Sequence, residues 1–515
     1  MEVAVSFVMR KSLANLLLLS GSIFICFIVA EGFVREIDDY PLFAWPLPAW
    51  PLPAVGSDEV TPEQLDQVQL VPGVKRDWFF SDPPPLSNRR RPPDEWVKLY
   101  EYLEHNPAPP ASWRFMPSDV FKAWNSAFLG DPCKHVVLRQ APGQLFTYDP
   151  PSGAPFPMYR FLPDVTLPDG LVTNQIGWRG RPIEVPRADK TVRIVFAGSS
   201  TVVDFHNYPF SHTDFVGHWL NLWAASQGWD VRFEVLNSAR EGMRSADITA
   251  VMNNEVMPVR PDLVVYYEGG NQFELASIVD KVPEGTAVPP GKAAPPWLQE
   301  AARNSALMKR IEAAVTLVLG DTEGREWPKP TYQLIWPAGL DEYDPDLSYP
   351  RLPVNLNAIL RDLDRIRTDL SSVGAEFAVS SFVWMVKDGM VLDPIKGRYT
   401  LQQLNVQRYP FRYRDLERLA NFQNRVFAKY AASHGLTFVD VARQMPFDHD
   451  LFTDAIHYSY GGTRLRGWII LQQLLPMIEK HLKEHSWPRP MPDKDASSLP
   501  TFAPKRITFD CTREQ

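Results

Sequence analysis

Four short polar clusters in this chain carry residue types that acyl-transfer chemistry uses. They are Gly198-Ser199-Ser200-Thr201, Asn237-Ser238-Ala239-Arg240-Glu241-Gly242, Gly269-Gly270-Asn271-Gln272 and Asp454-Ala455-Ile456-His457. A serine hydroxyl becomes a nucleophile only when a base takes its proton, the base must be oriented by an acid, and the tetrahedral oxyanion needs preorganised donors. The clusters offer one candidate for each role. Each residue also has a plainer reading: Asn271 as a helix cap, Gly242 as a turn, Asp454 as an N-cap, His457 as a hydrogen-bonded histidine, and the serines as a polar loop after a strand. The weight lies in the combination, four such clusters in order along one chain, and from the residues alone either Ser199 or Ser200 could be the nucleophile.

The elements that must position these clusters are legible from pattern. "VRIVFAG", "FEVLNSA", "DLVVYYEGG", "EFAVSSF" and "LTFVDVA" are short β-branched and aromatic runs separated by helix-length segments. That alternation predicts an α/β fold, a doubly wound parallel sheet with helices on both faces. One apolar stripe at helical period runs through Leu356, Ile359, Leu360, Leu363, Ile366 and Leu370 and ends near Gly374. A second runs through Leu416, Leu419, Ala420, Val426, Phe427 and Tyr430 and ends near Gly435. In such a sheet ligands sit outside the carboxyl ends of the strands, where the clusters fall.

At this point the chain resembles the SGNH (GDSL-type) esterase and acyltransferase superfamily, over roughly 192–482, and specifically its membrane-anchored bacterial type. The resemblance implies a flavodoxin-like three-layer fold with Ser200 as nucleophile, His457 as general base and Asp454 as the orienting acid. It also implies an oxyanion hole made by the Ser200 and Gly242 backbone N–H groups and the Asn271 side-chain amide. Two positions depart from the family pattern: Ser199 and Gln272 each stand where the family has aspartate. Neither position carries a catalytic role in the family mechanism. "TNQIGWRG" (173–180) is similar to a segment that precedes the domain in anchored relatives. The histidines His206, His212 and His218 read as structural or rim residues.

The 515 residues carry a formal charge of −8 and no long basic run, so the electrostatic footprint of a nucleic-acid binder is missing. Three cysteines, Cys26, Cys133 and Cys511, have no metal-ligand spacing, so neither a metal nor another cofactor is expected. Cys133 and Cys511 stand outside the anchor, and either a disulfide or two buried thiols fits them.

The apolar segment 12–30 follows Arg10 and Lys11 and precedes acidic residues. Its length approaches the ~20 residues needed to cross a bilayer, which favours an uncleaved anchor over a removed signal, with the rest of the chain periplasmic or on the outer face of the cytoplasmic membrane. The expected organisation is an anchor or signal at 1–35 and a proline-rich linker at 36–112 that holds the domain off the membrane. A small antiparallel β-rich lead-in at 113–190, the catalytic domain at 191–485 with an insertion at 273–355, and a tail at 486–515 follow. The insertion should contain a helix over about 298–319 and form a wall or lid, its Trp327, Tyr332, Trp336 and Tyr343 either packing the loop or stacking on a sugar. The function expected is cleavage of a small-molecule or carbohydrate ester through an acyl-enzyme on Ser200. The alternatives are acyl transfer to an envelope or exported polysaccharide, and a non-catalytic anchored binding or assembly protein.

Overall fold

The computed structural model describes most of residues 2–47, then 55–86, 143–149, a few positions between 163 and 166, 171–490 with short gaps (205–206, 208, 288–293, 320–323), 499 and 503–509. Seven strands are described: β1 (Gly143–Asp149), β2 (Thr191–Gly198), β3 (Arg232–Asn237), β4 (Leu263–Tyr267), β5 (Glu376–Ser380), β6 (Thr437–Val439) and β7 (Ala503–Phe509). The helices that matter to the site are α1 (Glu2–Ile37), α2 (Ser200–Val203), α3 (His212–Gln227), α4 (Ser245–Val251), α5 (Pro296–Ala302), α6 (Ala306–Leu319), α7 (Leu356–Ser372), α8 (Tyr413–Ser433) and α9 (Tyr460–Lys483).

Strands β2 to β6 form one parallel sheet in the order β3-β2-β4-β5-β6. The order reverses between β3 and β4 around β2, so the crevice at the carboxyl end of β2 is the topological switch point where α/β folds place ligands. Every residue of β2 and β4 is buried, as strands covered on both faces require. Helices α3 and α9 cover one face, and α4, α7 and α8 the other. The two apolar stripes read from sequence are the buried faces of α7 and α8.

Three features differ from the sequence reading. The alternating stretch 143–149 pairs in antiparallel register with 503–509, part of the expected tail, so its partner is remote where the sequence pattern suggested neighbours. Residues 171–180 do form a tight antiparallel turn, with a bridge between Thr173 and Arg179, and Arg179 bridges Asn237 at the end of β3.

Much of the proline-rich region is a belt rather than a free spacer. Ser57 bonds Asp450 and Gly461 through the backbone, Gln64 donates to Asp448 (2.7 Å), and Phe79 stacks on Trp219 and meets Trp468 edge-on. Leu65, Val68 and Phe79 are apolar enough to join the core once a surface is offered. Finally, the helix expected over 298–319 is two helices, α5 and α6, broken at Arg303–Ser305, where Ser305 accepts the Met308 N–H (3.1 Å) and starts the second. Residues 48–54 and 87–112 of the proline-rich region, His206, Cys133 and Cys511 lie outside the described residues.

Candidate active site

Strand β2 runs without interruption to Gly198, where the chain turns sharply into α2. A Cβ at Gly198 would stand 2.3 Å from the Tyr267 carbonyl oxygen and 2.4 Å from a Val202 methyl, so only glycine lets β2 and β4 close beneath the turn. Ser200 is thereby the first residue of α2. Its N–H is one of the donors a helix start leaves without an intrahelical acceptor. The carbonyls at the other end of the turn are held by two buried arginines. Arg179 donates to Val203 (2.7 Å) and to Asp204, and Arg466 donates to Thr201.

From the far edge of the sheet, the loop before α9 brings in Asp454 and His457, the candidate acid and base. His457 Nε2 lies 2.8 Å from Ser200 Oγ, and His457 Nδ1 lies 2.7 Å from Asp454 Oδ2. The other oxygen of Asp454 accepts the N–H groups of Ile456 and His457, both at 2.8 Å. Burial alone would raise the Asp454 carboxyl. The adjacent imidazole and these two donors outweigh it and hold it down at about 2, so Asp454 is ionised at neutral pH. The Ser200 residue is 7% exposed and the His457 side chain 14%, which leaves the pair reachable but sheltered.

The oxyanion candidates lie on two neighbouring loops. Gly242 sits at φ +72°, a conformation other residues adopt only under strain, and its N–H has no acceptor among the described residues. Asn271 Nδ2 donates to the Met243 carbonyl (2.9 Å) and to Ser199 Oγ (2.5 Å), which ties the third cluster to the second and to the nucleophile turn. The two departures from the family pattern therefore have definite places. Ser199 supplies an acceptor for the Asn271 amide. Gln272 accepts the Ser245 N–H (2.7 Å) and donates to its hydroxyl (3.0 Å), pinning the start of α4 just after the Gly242 turn. All the candidate residues of the four clusters thus meet at one end of the sheet.

Sequence reasoning passed over several residues that hold this arrangement. Glu268 is buried beneath the third loop, where it accepts the N–H groups of Gly270 (2.9 Å) and Asn271 (2.8 Å); burial raises its carboxyl to about 7 despite those donors. Gln403 accepts the Ala455 N–H (2.8 Å) inside the acid-base loop. Arg408, one turn further on, donates to the carbonyls of Phe273 (3.0 Å) and Gly270 (3.4 Å) and lies over Trp384. One segment thus braces both sides of the site. Behind Ser200, Asp204, His212 and Arg466 form a buried charged cluster, with Asp204 Oδ2 2.6 Å from His212 Nδ1 and Arg466 2.6 Å from Asp204 Oδ1.

The insertion begins at Gln272 and returns at Asn355, whose side chain donates to the Gln272 carbonyl (3.3 Å). Two of its aromatic residues pack against α8 and its approach. Tyr332 bonds Asp415 and stacks under Arg412, and Trp336 meets Phe422 edge-on with Arg418 over its face. Tyr343 lies beneath Arg425, and the Trp327 backbone is held by Asn405.

No family model matches the sequence, and no curated protein matches it. Solved structures similar to it are an acetyl xylan esterase, AlAXEase (10% identity, 54% of this chain and 98% of that one, TM-score 0.29), an acetylxylan esterase from Geobacillus stearothermophilus (14%, 55% and 94%, 0.30) and the lipase/acylhydrolase from Enterococcus faecalis (16%, 56% and 96%, 0.30). The architecture itself, a five-stranded parallel sheet between two helical layers with the polar clusters at its carboxyl edge, is the layout implied by the resemblance to the SGNH hydrolases.

Proposed function

We propose that this chain is a membrane-anchored serine esterase acting outside the cytoplasm. The observation that carries the reading is the continuous hydrogen-bonded line from Asp454 through His457 to Ser200 at the switch point of the sheet. In the proposed reaction Ser200 Oγ attacks the ester carbonyl carbon while His457 Nε2 takes the hydroxyl proton. Asp454 stabilises the imidazolium and fixes the ring so that Nε2 faces the serine. The negative charge that develops on the carbonyl oxygen is met by the N–H groups of Ser200 and Gly242 and by the Asn271 amide, whose hydrogen now on Ser199 turns to the stronger acceptor. Collapse breaks the bond to the alcohol, which leaves with the proton from His457. Water then repeats the sequence on the acyl-serine, releasing the acid and restoring the hydroxyl.

Supporting the anchor, Leu18–Ile37 is long and apolar enough to cross a membrane by length and composition. The test of the chemistry is covalent labelling with a fluorophosphonate followed by peptide mapping. Label on Ser200, lost in Ser200→Ala and largely kept in Ser199→Ala, is the expected result. Undiminished labelling of Ser200→Ala would refute the assignment.

A further inference from the structure

At the carboxyl end of its apolar stretch, α1 does not lead into free chain. Glu31 accepts the Ser305 hydroxyl (2.7 Å) and the N–H groups of Ala306 (2.9 Å) and Leu307 (3.0 Å), so a residue of the anchor helix caps α6 of the insertion. Arg35, although charged, is buried. It donates to Glu31 (2.6 Å) and to the carbonyls of Pro41 (2.9 Å), Leu42 (3.0 Å) and Asn304 (3.1 Å). Arg310 reaches back to both oxygens of Asp38, and the Leu47 N–H donates to Arg303 (3.0 Å). Beneath these bonds Val34, Tyr40, Leu47 and Ala306 form a small apolar core separate from that of the sheet. A spacer that merely tethers would need none of this.

Around the junction large apolar side chains stay outside. Phe33, Ile37, Phe43, Trp45, Trp297 and Ile311 are exposed, Phe43 at 98% and Trp297 at 68%. Ile23, Phe24 and Ile28 of the anchor are exposed as well. Large apolar side chains left outside in this way are unfavourable in water. Aromatic residues that follow directly on a membrane span match the composition of a bilayer interface.

We propose that α5 and α6 are a membrane-docking module, clamped to the foot of the anchor and lying at the boundary between lipid headgroups and acyl chains. The proposal rests on the anchored reading given above and adds to it an orientation. The insertion that contains the module leaves the sheet at the residue after Asn271 and returns beside the same point, its segment after α6 packing back on the domain through Trp327, Tyr332 and Trp336, so the module connects to the loop that carries the proposed oxyanion donor.

The experiment uses the full chain reconstituted in vesicles of phosphatidylethanolamine and phosphatidylglycerol, with a photoreactive benzophenone side chain placed singly at Phe24, Phe43, Trp297 or Val185. The last is an exposed residue just before β2, at the opposite end of the sheet from the site. Docking gives lipid adducts at 24, 43 and 297, severalfold above the level at 185. Adducts at 24 with 43 and 297 no higher than 185 would overturn the docking and leave the anchor standing. If position 24 also gives none, the anchor fails and the docking falls with it. Asp38→Arg should lower the adduct at 297, and adding Arg310→Asp should restore it; unchanged adducts in Asp38→Arg would show that the clamp does not orient the module.

Discussion

Two aspartate–histidine pairs lie on either side of the same helical turn, and they differ in what surrounds them. In the first, Asp454 holds His457 Nδ1 at 2.7 Å, the carboxylate's other oxygen takes backbone donors, and the far ring nitrogen faces the Ser200 hydroxyl. In the second, Asp204 holds His212 Nδ1 at 2.6 Å, but its other oxygen takes the Arg466 guanidinium, and the ring is fully buried with its edge against Phe196. Burial and that guanidinium push the His212 imidazole down to about 4, so it stays neutral at physiological pH, and no hydroxyl among the described residues bonds its second nitrogen. An Asp–His hydrogen bond is therefore not a catalytic signature in itself. A base needs a nucleophile on its second nitrogen and no competing cation beside it.

The comparison can be broken most decisively by removing each histidine. His457→Ala or Ser200→Ala should lower kcat by about 10⁴- to 10⁶-fold with Tm nearly unchanged, and Asp454→Asn by about 10³- to 10⁴-fold. Steady-state kinetics with a short-chain chromogenic ester, beside a melting curve on the same preparation, reads both quantities. Removing His212 should do the reverse: His212→Ala leaves Asp204 and Arg466 buried around a cavity and should cost roughly 3 kcal/mol of stability, while turnover per folded molecule changes little. A His212→Ala protein that keeps its Tm and loses its activity would erase the distinction.

Asn271→Ala sharpens the same contrast on the oxyanion side. It should lower kcat by about a hundred- to a thousandfold and raise KM far less, as the proposed oxyanion role requires. A destabilised protein with unchanged kcat would mean that the bonds to Met243 and Ser199 are its whole role.

The smallest effect is on pH dependence. With a folded pKa near 4 against an ordinary 6.5, His212 takes up a proton in the unfolded chain first. Stability should therefore fall as pH drops from about 6.5 to about 4 and level off below. Asp454, held at about 2 against an ordinary 3.8, gives stability that is fully present above 3.8 and is lost only as pH falls through about 2. His212 therefore acts in a window of its own, while Asp204, also held at about 2, shares the acidic window of Asp454. Melting temperatures of wild type and His212→Asn across pH 4–7 check this, the variant being expected to show the flatter curve.

What the sequence made legible was local and repetitive. Five β-branched runs and two apolar stripes each declare themselves within a few residues, and the four polar clusters follow strands in order. What escaped it depends on distant partners. Arg179 and Arg466 hold the carbonyls of the nucleophile turn, Glu268 shapes the Asn271 loop and Gln403 braces the acid-base loop, yet each is a single polar residue whose partner lies elsewhere in the fold. The pairing of 143–149 with 503–509 was invisible for the same reason, since alternation marks a strand and not its neighbour. The break between α5 and α6 had a cue in Ser305, but its second support, Glu31, comes from the other end of the chain.

The meeting of Gln272 and Asn355 has a meaning for how such a protein changes over generations. A segment that departs and returns at one place is a cassette. It can lengthen, shorten or be exchanged for another without shifting the register of any strand in the sheet. The part most open to such change is the stretch around α5 and α6, because Tyr332 and Trp336 tie the rest of the insertion to α8, and exchanging that stretch would leave Ser200, Asp454 and His457 where they stand.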